Sequence, residues 1–284
     1  MEKNILVLGE SGTGKTHFAV QLFGRLLKSS KTAWKPESNP ENLEIFKNGF
    51  EKLAKGLEIE HTPSEFHKDI SFFVVNEDGI RLKFTYPDYA GEQLRNLVNE
   101  RRLNTIWKDR VKNSTSWLLF IKISDVEFVE DITSRGMPEF GALVESRSKE
   151  GIESFKLADQ AFYVELLQML VHFGESSLLN PAGMSVLTIM LSCYDELKAL
   201  NTEKMLPLEI LKSKMPMLFS FLESNWPVDN LKIIGLSSTE RKLNDKIADE
   251  DYLDTGPEHF GYWVKPDGHE ERDLTQIITL VNNG

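Results

Sequence analysis

Cysteine is almost absent: Cys193 is the single one in 284 residues. No internal disulfide can form, which suits a reducing cytoplasm, the expected location. Positive charge is scarce as well. Lys and Arg number 33 against 44 Asp and Glu, a net charge of −11. That balance argues against non-specific nucleic-acid binding, which needs basic patches, and against docking on anionic lipid. No apolar run reaches the ~18 residues that a membrane span requires, so no membrane partner is expected. The second residue is Glu2, so the myristoylation pattern is missing. The first strand is expected from about Asn4, which leaves no room for a signal peptide. Internal repeats and low-complexity tracts are missing too. What remains is a globular composition, 40% hydrophobic and 27% charged. The length allows one large α/β domain or two small ones.

The most informative stretch is Gly9-Glu10-Ser11-Gly12-Thr13-Gly14-Lys15-Thr16. It matches G-x-x-x-x-G-K-S/T, a loop that cradles phosphate. The apolar run Ile5-Leu6-Val7-Leu8 before it reads as a buried strand. After it, Phe18, Ala19, Leu22, Phe23, Leu26 and Leu27 fall on one face of a helix. Strand, glycine loop and helix form the context that the motif needs. Gly9, Gly12 and Gly14 permit positive φ and close approach of backbone N–H groups to an anion. Those groups and the helix N-terminus form an anion nest, with His17 just beyond it. Lys15 would reach the β- and γ-phosphates, and the Thr16 hydroxyl would bind Mg²⁺. The order G-x-x-G-x-G misses the dinucleotide fingerprint G-x-G-x-x-G, so a nicotinamide site is not expected.

Further along, residues 36–58 carry a helix pattern, with Leu43, Phe46, Phe50, Leu53 and Leu57 at spacings of three and four. Phe72–Val75 and Ile80–Phe84 flank Asn76-Glu77-Asp78-Gly79 and read as a β-hairpin. Residues 92–112 read as one basic helix, and Trp117–Ile121 as a buried strand. Residues 124–150 are charged and glycine-bearing, an expected mobile insertion. A helix at 155–173, a strand at Val186–Leu191 and a helix from Pro207 to Trp226, broken or kinked at Pro216, come next. Leu231–Ile234 is the last central strand. The tail His259–Val281 reads as a short hairpin around Pro266-Asp267-Gly268, then a final strand or helix. Continuous apolar strands alternating with helices predict a mostly parallel sheet covered on both faces, with one antiparallel hairpin strand. Ligands then belong at the carboxyl ends of the strands.

Each remaining candidate lies at such an end. Asp88-Tyr89-Ala90-Gly91 gives D-x-x-G after a strand: the aspartate can hold Mg²⁺ through water, and the Gly91 N–H can meet the γ-phosphate. A plain turn with a helix cap is the alternative. Thr62, between the first helix and the hairpin, could complete the metal shell, with Thr32 as competitor and an ordinary loop threonine as the plain reading. Ser192-Cys193-Tyr194-Asp195 ends another strand. There Asp195 could accept hydrogen bonds from N1 and N2 of guanine, or merely cap a helix. Gly235-Leu236-Ser237-Ser238 ends the last strand with small residues, so a backbone N–H there could reach the base carbonyl.

Together these motifs resemble the Ras-like, translation-factor-related class of P-loop GTPases over about residues 4–240. The resemblance implies a three-layer α/β P-loop NTPase fold, GTP and GDP as ligands with Mg²⁺, and a protein effector or activator read through the loops near Thr62 and Gly91. It frames residues 1–240 as one GTPase domain with inserted segments at about 33–61 and 124–152. Residues 241–284 would be an extension packing on the same domain. The guanine motif usually reads N-K-x-D, and of it this chain keeps only Asp195. The glutamine often found after the D-x-x-G glycine is Glu92 here, with Gln93 next, so slow turnover is expected. Either residue would place the attacking water beside the Lys15-neutralised phosphates. The runs Tyr86–Glu92, Ser192–Leu197 and Phe260–Gly268 are similar to the "double-GTPase" families of bacterial conflict and antiphage systems. Arg95, Arg101 and Arg102 are candidates for an arginine finger, against the plainer reading of a solvated helix face. Two other readings stay open: an ATP-using P-loop protein, suggested by the apolar run before Asp195-Glu196, and a nucleotide-binding scaffold without useful turnover. His172, Trp226 and Trp263 read as packing residues, and His259 and His269 are too isolated for a zinc site.

Overall fold

Strand β1 (Glu2–Gly9) turns alternate side chains to opposite faces, and both faces are buried. Leu6 and Leu8 enter one apolar core, Ile5 and Val7 the other. The same split recurs in β5 (Ser116–Ile121), where Trp117, Leu119 and Ile121 face one way and Leu118 and Phe120 the other. A strand buried on both sides must be apolar throughout, which is why these segments read as continuous runs. The computed structural model describes residues 2–28, 32–40, 42–59, 69–87, 91–126, 159–174, 185–200 and 205–282.

The other strands are β2 (Trp34–Pro36), β3 (Ile70–Asn76), β4 (Arg81–Tyr86), β6 (Val186–Ser192), β7 (Leu231–Ser237), β8 (Tyr262–Val264) and β9 (Glu270–Glu271). They form one sheet in the order β2-β3-β4-β1-β5-β6-β7-β8-β9. The five strands β4, β1, β5, β6 and β7 run parallel. β3 is antiparallel to β4, as the hairpin signal predicts, and β8 is antiparallel to β7. The second reversal lies in the tail, so the sheet departs from parallel at both flanks rather than at one.

Helices cover both faces. α1 (Lys15–Lys28) and α2 (Leu43–Ala54) pack on one side, joined there by α9 (Glu250–Thr255) and α10 (Gln276–Asn282). The other side carries α3 (Gly91–Glu100), α4 (Thr105–Asn113), α5 (Asp159–Phe173), α6 (Tyr194–Leu200), α7 (Pro207–Lys214) and α8 (Pro216–Asn225). This is the three-layer P-loop NTPase fold.

Some elements differ from the sequence reading. The helical pattern of 36–58 holds a helix only over Leu43–Ala54: Pro36 closes the edge strand Trp34–Pro36 paired with β3, and past the helix Gly56 turns at φ +65°. The basic helix expected over 92–112 is two helices. The first ends at Glu100, followed by Arg101 at φ +49°, and Asn104 caps the second, its Oδ1 accepting from Trp107 N at 2.9 Å. The Pro207–Trp226 helix does break at Pro216, which starts a new helix where its missing N–H costs least. The tail hairpin ends in a helix, α10. Most of the insertion expected over 124–150 lies outside the described residues.

Candidate functional site

Register puts the candidate loops side by side. Gly9 of β1 pairs with Phe120 of β5, Phe120 with Met190 of β6, and Met190 with Ile234 of β7. These residues form one row across four strands. The segments Gly9–Thr16, Ser192–Asp195 and Gly235–Ser238 all leave the sheet at that edge. At about 4.8 Å per strand, β1 and β7 stand ~14 Å apart, a span that suits a nucleotide laid from phosphate to base.

The phosphate loop is built by contacts of its own. Gly9 has φ +147°, and a Cβ there would stand 2.9 Å from the Phe120 Cβ, the Phe120 carbonyl and Thr13 Oγ1. Gly12 and Gly14 also have positive φ, and their Cα atoms face open space. Lys15 Nζ donates to the carbonyls of Gly9 at 2.7 Å and Glu10 at 2.5 Å, and Thr13 Oγ1 donates to the Glu10 carbonyl at 2.8 Å. Burial pulls the Lys15 ammonium down to about 8, with the Glu10 charge working against it. Phe18 lies against Phe120 with ring centroids 5.6 Å apart, so the first turn of α1 is anchored to the central strand beneath the loop. Ser11 and Gly12 are exposed, and Thr16 is half-buried at the start of α1. His17 Nε2 accepts from Ile59 N at 3.4 Å, tying the segment after α2 to the loop.

The ends of β6 and β7 are equally organised. Ser237 Oγ donates to Asp195 Oδ1 at 2.5 Å and accepts from Glu240 N at 2.9 Å. The Tyr194 ring lies over Gly235, where a Cβ would come within 2.4 Å of it. Cys193 has φ +52°, a left-handed value that turns the chain sharply out of β6. Ser238 follows Ser237, half-buried. A 3₁₀ turn, Ile123–Asp125, braces this corner: Ser124 Oγ donates to Glu196 Oε2 at 2.7 Å, and Lys122 pairs with Asp125 and Glu196.

β4 brings the chain to Pro87 on the other flank of β1, and Gly91 opens α3. Asp88 and Thr62 lie outside the described residues, and the side chains of Glu92 and Gln93 are not among those described. The competitor Thr32 donates its hydroxyl to the Trp34 carbonyl at 2.7 Å. Among the described residues no cluster of three His, Cys, Asp or Glu could hold a metal, and no helix is long and apolar enough to cross a membrane. His172 is exposed and packs edge-on to Phe173, while Trp226 and Trp263 are buried and donate to the Ser185 and Asp273 carbonyls.

One set of contacts was missed. Arg95 of α3 does not lie on a solvated face: its guanidinium pairs with Glu10 of the phosphate loop and donates to Asp159 Oδ1 of α5 at 2.6 Å. Tyr163 OH adds a bond to Glu10 Oε2 at 3.3 Å, and burial pushes that phenol up, so it stays a donor. The available signal was Glu10 itself, because a carboxylate inside an anion-binding loop calls for a cation. Arg101 is mostly exposed and pairs with Glu165.

A family model described as Double-GTPase 1 matches residues 6–281. The chain belongs to the Double-GTPase 1 family. The match runs through the tail as well as the phosphate loop, so Ser237 and the β8–β9 hairpin fall within the family's span. No curated protein matches the chain. Solved structures similar to it include the Arl6 BBS3 small GTPase from Trypanosoma brucei with bound GppNp. That likeness has 12% identity and a TM-score of 0.35, over 84% of this chain and 88% of that one. Another is a probable GTP-binding protein engB, at 14% identity and a TM-score of 0.34, over 83% and 89%. The G domain of the T. maritima FeoB iron transporter is a third, at 10% and 0.32, over 84% and 89%.

Proposed function

We propose that this chain binds GTP with Mg²⁺, cleaves it slowly to GDP and phosphate, and signals its nucleotide state to a partner protein. The observation that carries this reading is the shared sheet edge. An ammonium-bearing phosphate loop follows β1, and an aspartate just after β6 is held by a serine at the end of β7, all at one edge of the sheet.

The loop's N–H groups and Lys15 would receive the β- and γ-phosphates. Asp195, fixed by Ser237, would accept from the N1 and N2 hydrogens of guanine, a pattern that adenine does not offer. Magnesium demands few protein ligands and keeps several waters, so the Thr16 hydroxyl at the loop's end fits it. Thr62 and Asp88 are proposed as its other contacts. When bound, the ion neutralises charge on the phosphate oxygens. In the cleavage step a water oxygen bonds to the γ-phosphorus while the bond to the β–γ bridging oxygen breaks, leaving GDP and phosphate. Glu92 or Gln93 would orient that water. Such hydrolysis depends mainly on positioning and charge stabilisation. With glutamate in the first of those positions, turnover is slow. Loss of the γ-phosphate would release the segments around Thr62 and Gly91, the surfaces offered to a partner. A role in antiphage defence is part of the same proposal, supported by the resemblance of Tyr86–Glu92, Ser192–Leu197 and Phe260–Gly268 to conflict-system families.

Titration of GTP, ATP and GDP into wild type and Lys15→Ala, with single-turnover phosphate release, tests the reading. Wild type should prefer GTP, and Lys15→Ala should lose at least ~100-fold in affinity, as expected for removing a charged partner from a desolvated anion site. Equal affinities in the two proteins, or a clear preference for ATP, would refute it. Binding without any GDP formed over hours would leave a nucleotide-binding scaffold.

A further inference from the structure

The Glu10–Arg95–Asp159 network joins three segments far apart in sequence: the phosphate loop, α3 and α5. It is well shielded, with side-chain exposures of 25% for Arg95, 20% for Glu10 and 9% for Asp159. The guanidinium also lies over the Phe162 ring, 4.8 Å from its centroid. A planar fork held by two carboxylates and a ring has one orientation, unlike an exposed ion pair, which is loose and worth little. Its place is informative. Arg95 is one helical turn after Gly91, Glu92 and Gln93, so fixing Arg95 fixes the turn that bears them. Leu94 and Val98 of the same helix are buried, so α3 is held by packing along its length and by the network at its start. Glu10 has a second consequence. A bare carboxylate in the loop would repel a triphosphate, and Arg95 neutralises it.

We propose that Arg95 is a positioning residue that ties α3 to the phosphate loop through Glu10 and relays the position of α3 to α5 through Asp159. This rests on the GTPase reading for its consequence in catalysis, but not for the coupling itself. Removing Arg95 takes the shared cation away from two shielded carboxylates, one of them in the phosphate loop. Removing Glu10 leaves the fork half-held.

Two measurements on the full chain decide it. The first is amide hydrogen exchange of residues 91–100 without nucleotide, with the central strand at 116–121 as internal control, in wild type, Arg95→Met, Arg95→Lys and Glu10→Gln. Exchange at 91–100 should rise roughly tenfold or more in Arg95→Met, while the central strand is unchanged. Lysine should restore only part of the protection, because a point charge cannot bridge two carboxylates as a fork does. Adding Glu10→Gln to Arg95→Met should change little further, since both break one network. The second is single-turnover cleavage at saturating GTP. There Arg95→Met should lose roughly 10- to 100-fold in rate, the scale of a misplaced catalytic turn, while GTP affinity falls far less.

Wild-type protection at 91–100 in Arg95→Met, full rescue by lysine, or additive effects of the two substitutions would overturn the proposal. If Arg95→Met does not fold, Arg95→Lys and Glu10→Gln carry the same comparison. A wild-type chain that cleaves no GTP would end the GTPase reading, and the nucleotide-free exchange would still decide the coupling.

Discussion

Ser237 donates its hydroxyl hydrogen to Asp195 Oδ1 at 2.5 Å across 42 residues of chain. The bond links the ends of β6 and β7, and Glu240 N, donating to the same Ser237 oxygen, fixes the hydroxyl's direction. Asp195 lies within the first turn of α6 rather than ahead of it as a cap. Its carboxylate is oriented by a partner on the neighbouring strand. The N-K-x-D lysine is missing, yet the aspartate keeps a rigid seat: Tyr194 beneath it is packed over Gly235, and Cys193 turns the chain at φ +52°.

Substitutions at this pair should separate base reading from folding. Asp195→Asn removes a charged acceptor, and hydrogen bonds to a charged group contribute about 1.5–3 kcal/mol, so GTP affinity should fall roughly 10- to 100-fold. ATP affinity should hardly change, because adenine makes no use of that acceptor. Ser237→Ala leaves the charge but loosens its direction and should cost roughly three- to tenfold. Calorimetric titration of both nucleotides checks this. Parallel losses for GTP and ATP in Asp195→Asn would mean that the residue only supports the fold.

The phosphate loop was legible because all its signals are local. Four fixed residue types, an apolar run before them and a helical stripe after them sit within about 25 positions, and β1 and α1 formed where those patterns placed them. The central strands were legible for the same reason, since burial on both faces demands unbroken apolar sequence. The start of the second helix at Thr105 was written in the chain too, as a capping Asn104 side chain ahead of Trp107, but the basic stretch around it reads as one continuous helix. Strand β2 was not legible. Three residues carry no period, and Trp34–Pro36 is a strand only because β3 lies beside it. Arg95 was hidden for a different reason. Its partners are 85 and 64 positions away, and nothing in the helix around it separates a guanidinium aimed inward from one in water.

Cys193 offers a test by chemistry alone, since it is the single thiol. Burial pushes it up to about 12, with Glu196 adding to the shift and Lys122 opposing it. The reactive species is the thiolate, so near pH 8 alkylation by iodoacetamide should run on the order of 10³-fold slower than for a free cysteine of pKa ~8.5. The sign for stability follows. The folded-state value lies above the unfolded one, so the contribution is complete below about pH 8.5 and is lost as pH rises toward about 12. Unfolding in denaturant should restore ordinary reactivity. Fast alkylation of the native chain near pH 8 would show that the corner beside Asp195 opens readily.

The tail should prove inseparable from the GTPase core, and Arg25 is the residue on which to test it. Arg25 sits on α1, and its guanidinium is buried against backbone rather than against a carboxylate. It donates to the Glu258 carbonyl at 3.2–3.3 Å and to the Phe260 carbonyl at 2.5 Å, while the neighbouring Gln21 donates to the Pro257 carbonyl at 3.0 Å. Burial pulls that guanidinium down to about 10. Within the turn Phe260 N donates to the Pro257 carbonyl at 3.2 Å, and Arg25 supplies the donors for the Glu258 and Phe260 carbonyls. Nearby, Tyr252 and Phe260 stack at 3.9 Å, and Trp263, Leu274 and Ile277 complete the core under α1. Arg25→Met keeps most of the stem's packing and removes the donors. It should cost about 2–4 kcal/mol, from buried carbonyls left without partners. In a chain of this size that is a fall in Tm of roughly 5–12 °C. A chain ending at residue 240 loses the same carbonyls and an apolar layer besides, and should show no cooperative transition in a thermal melt followed by circular dichroism. A truncated chain that melts cooperatively near the full-length Tm would make the tail a separate unit, and Arg25 would then be a tether between two units rather than part of one core.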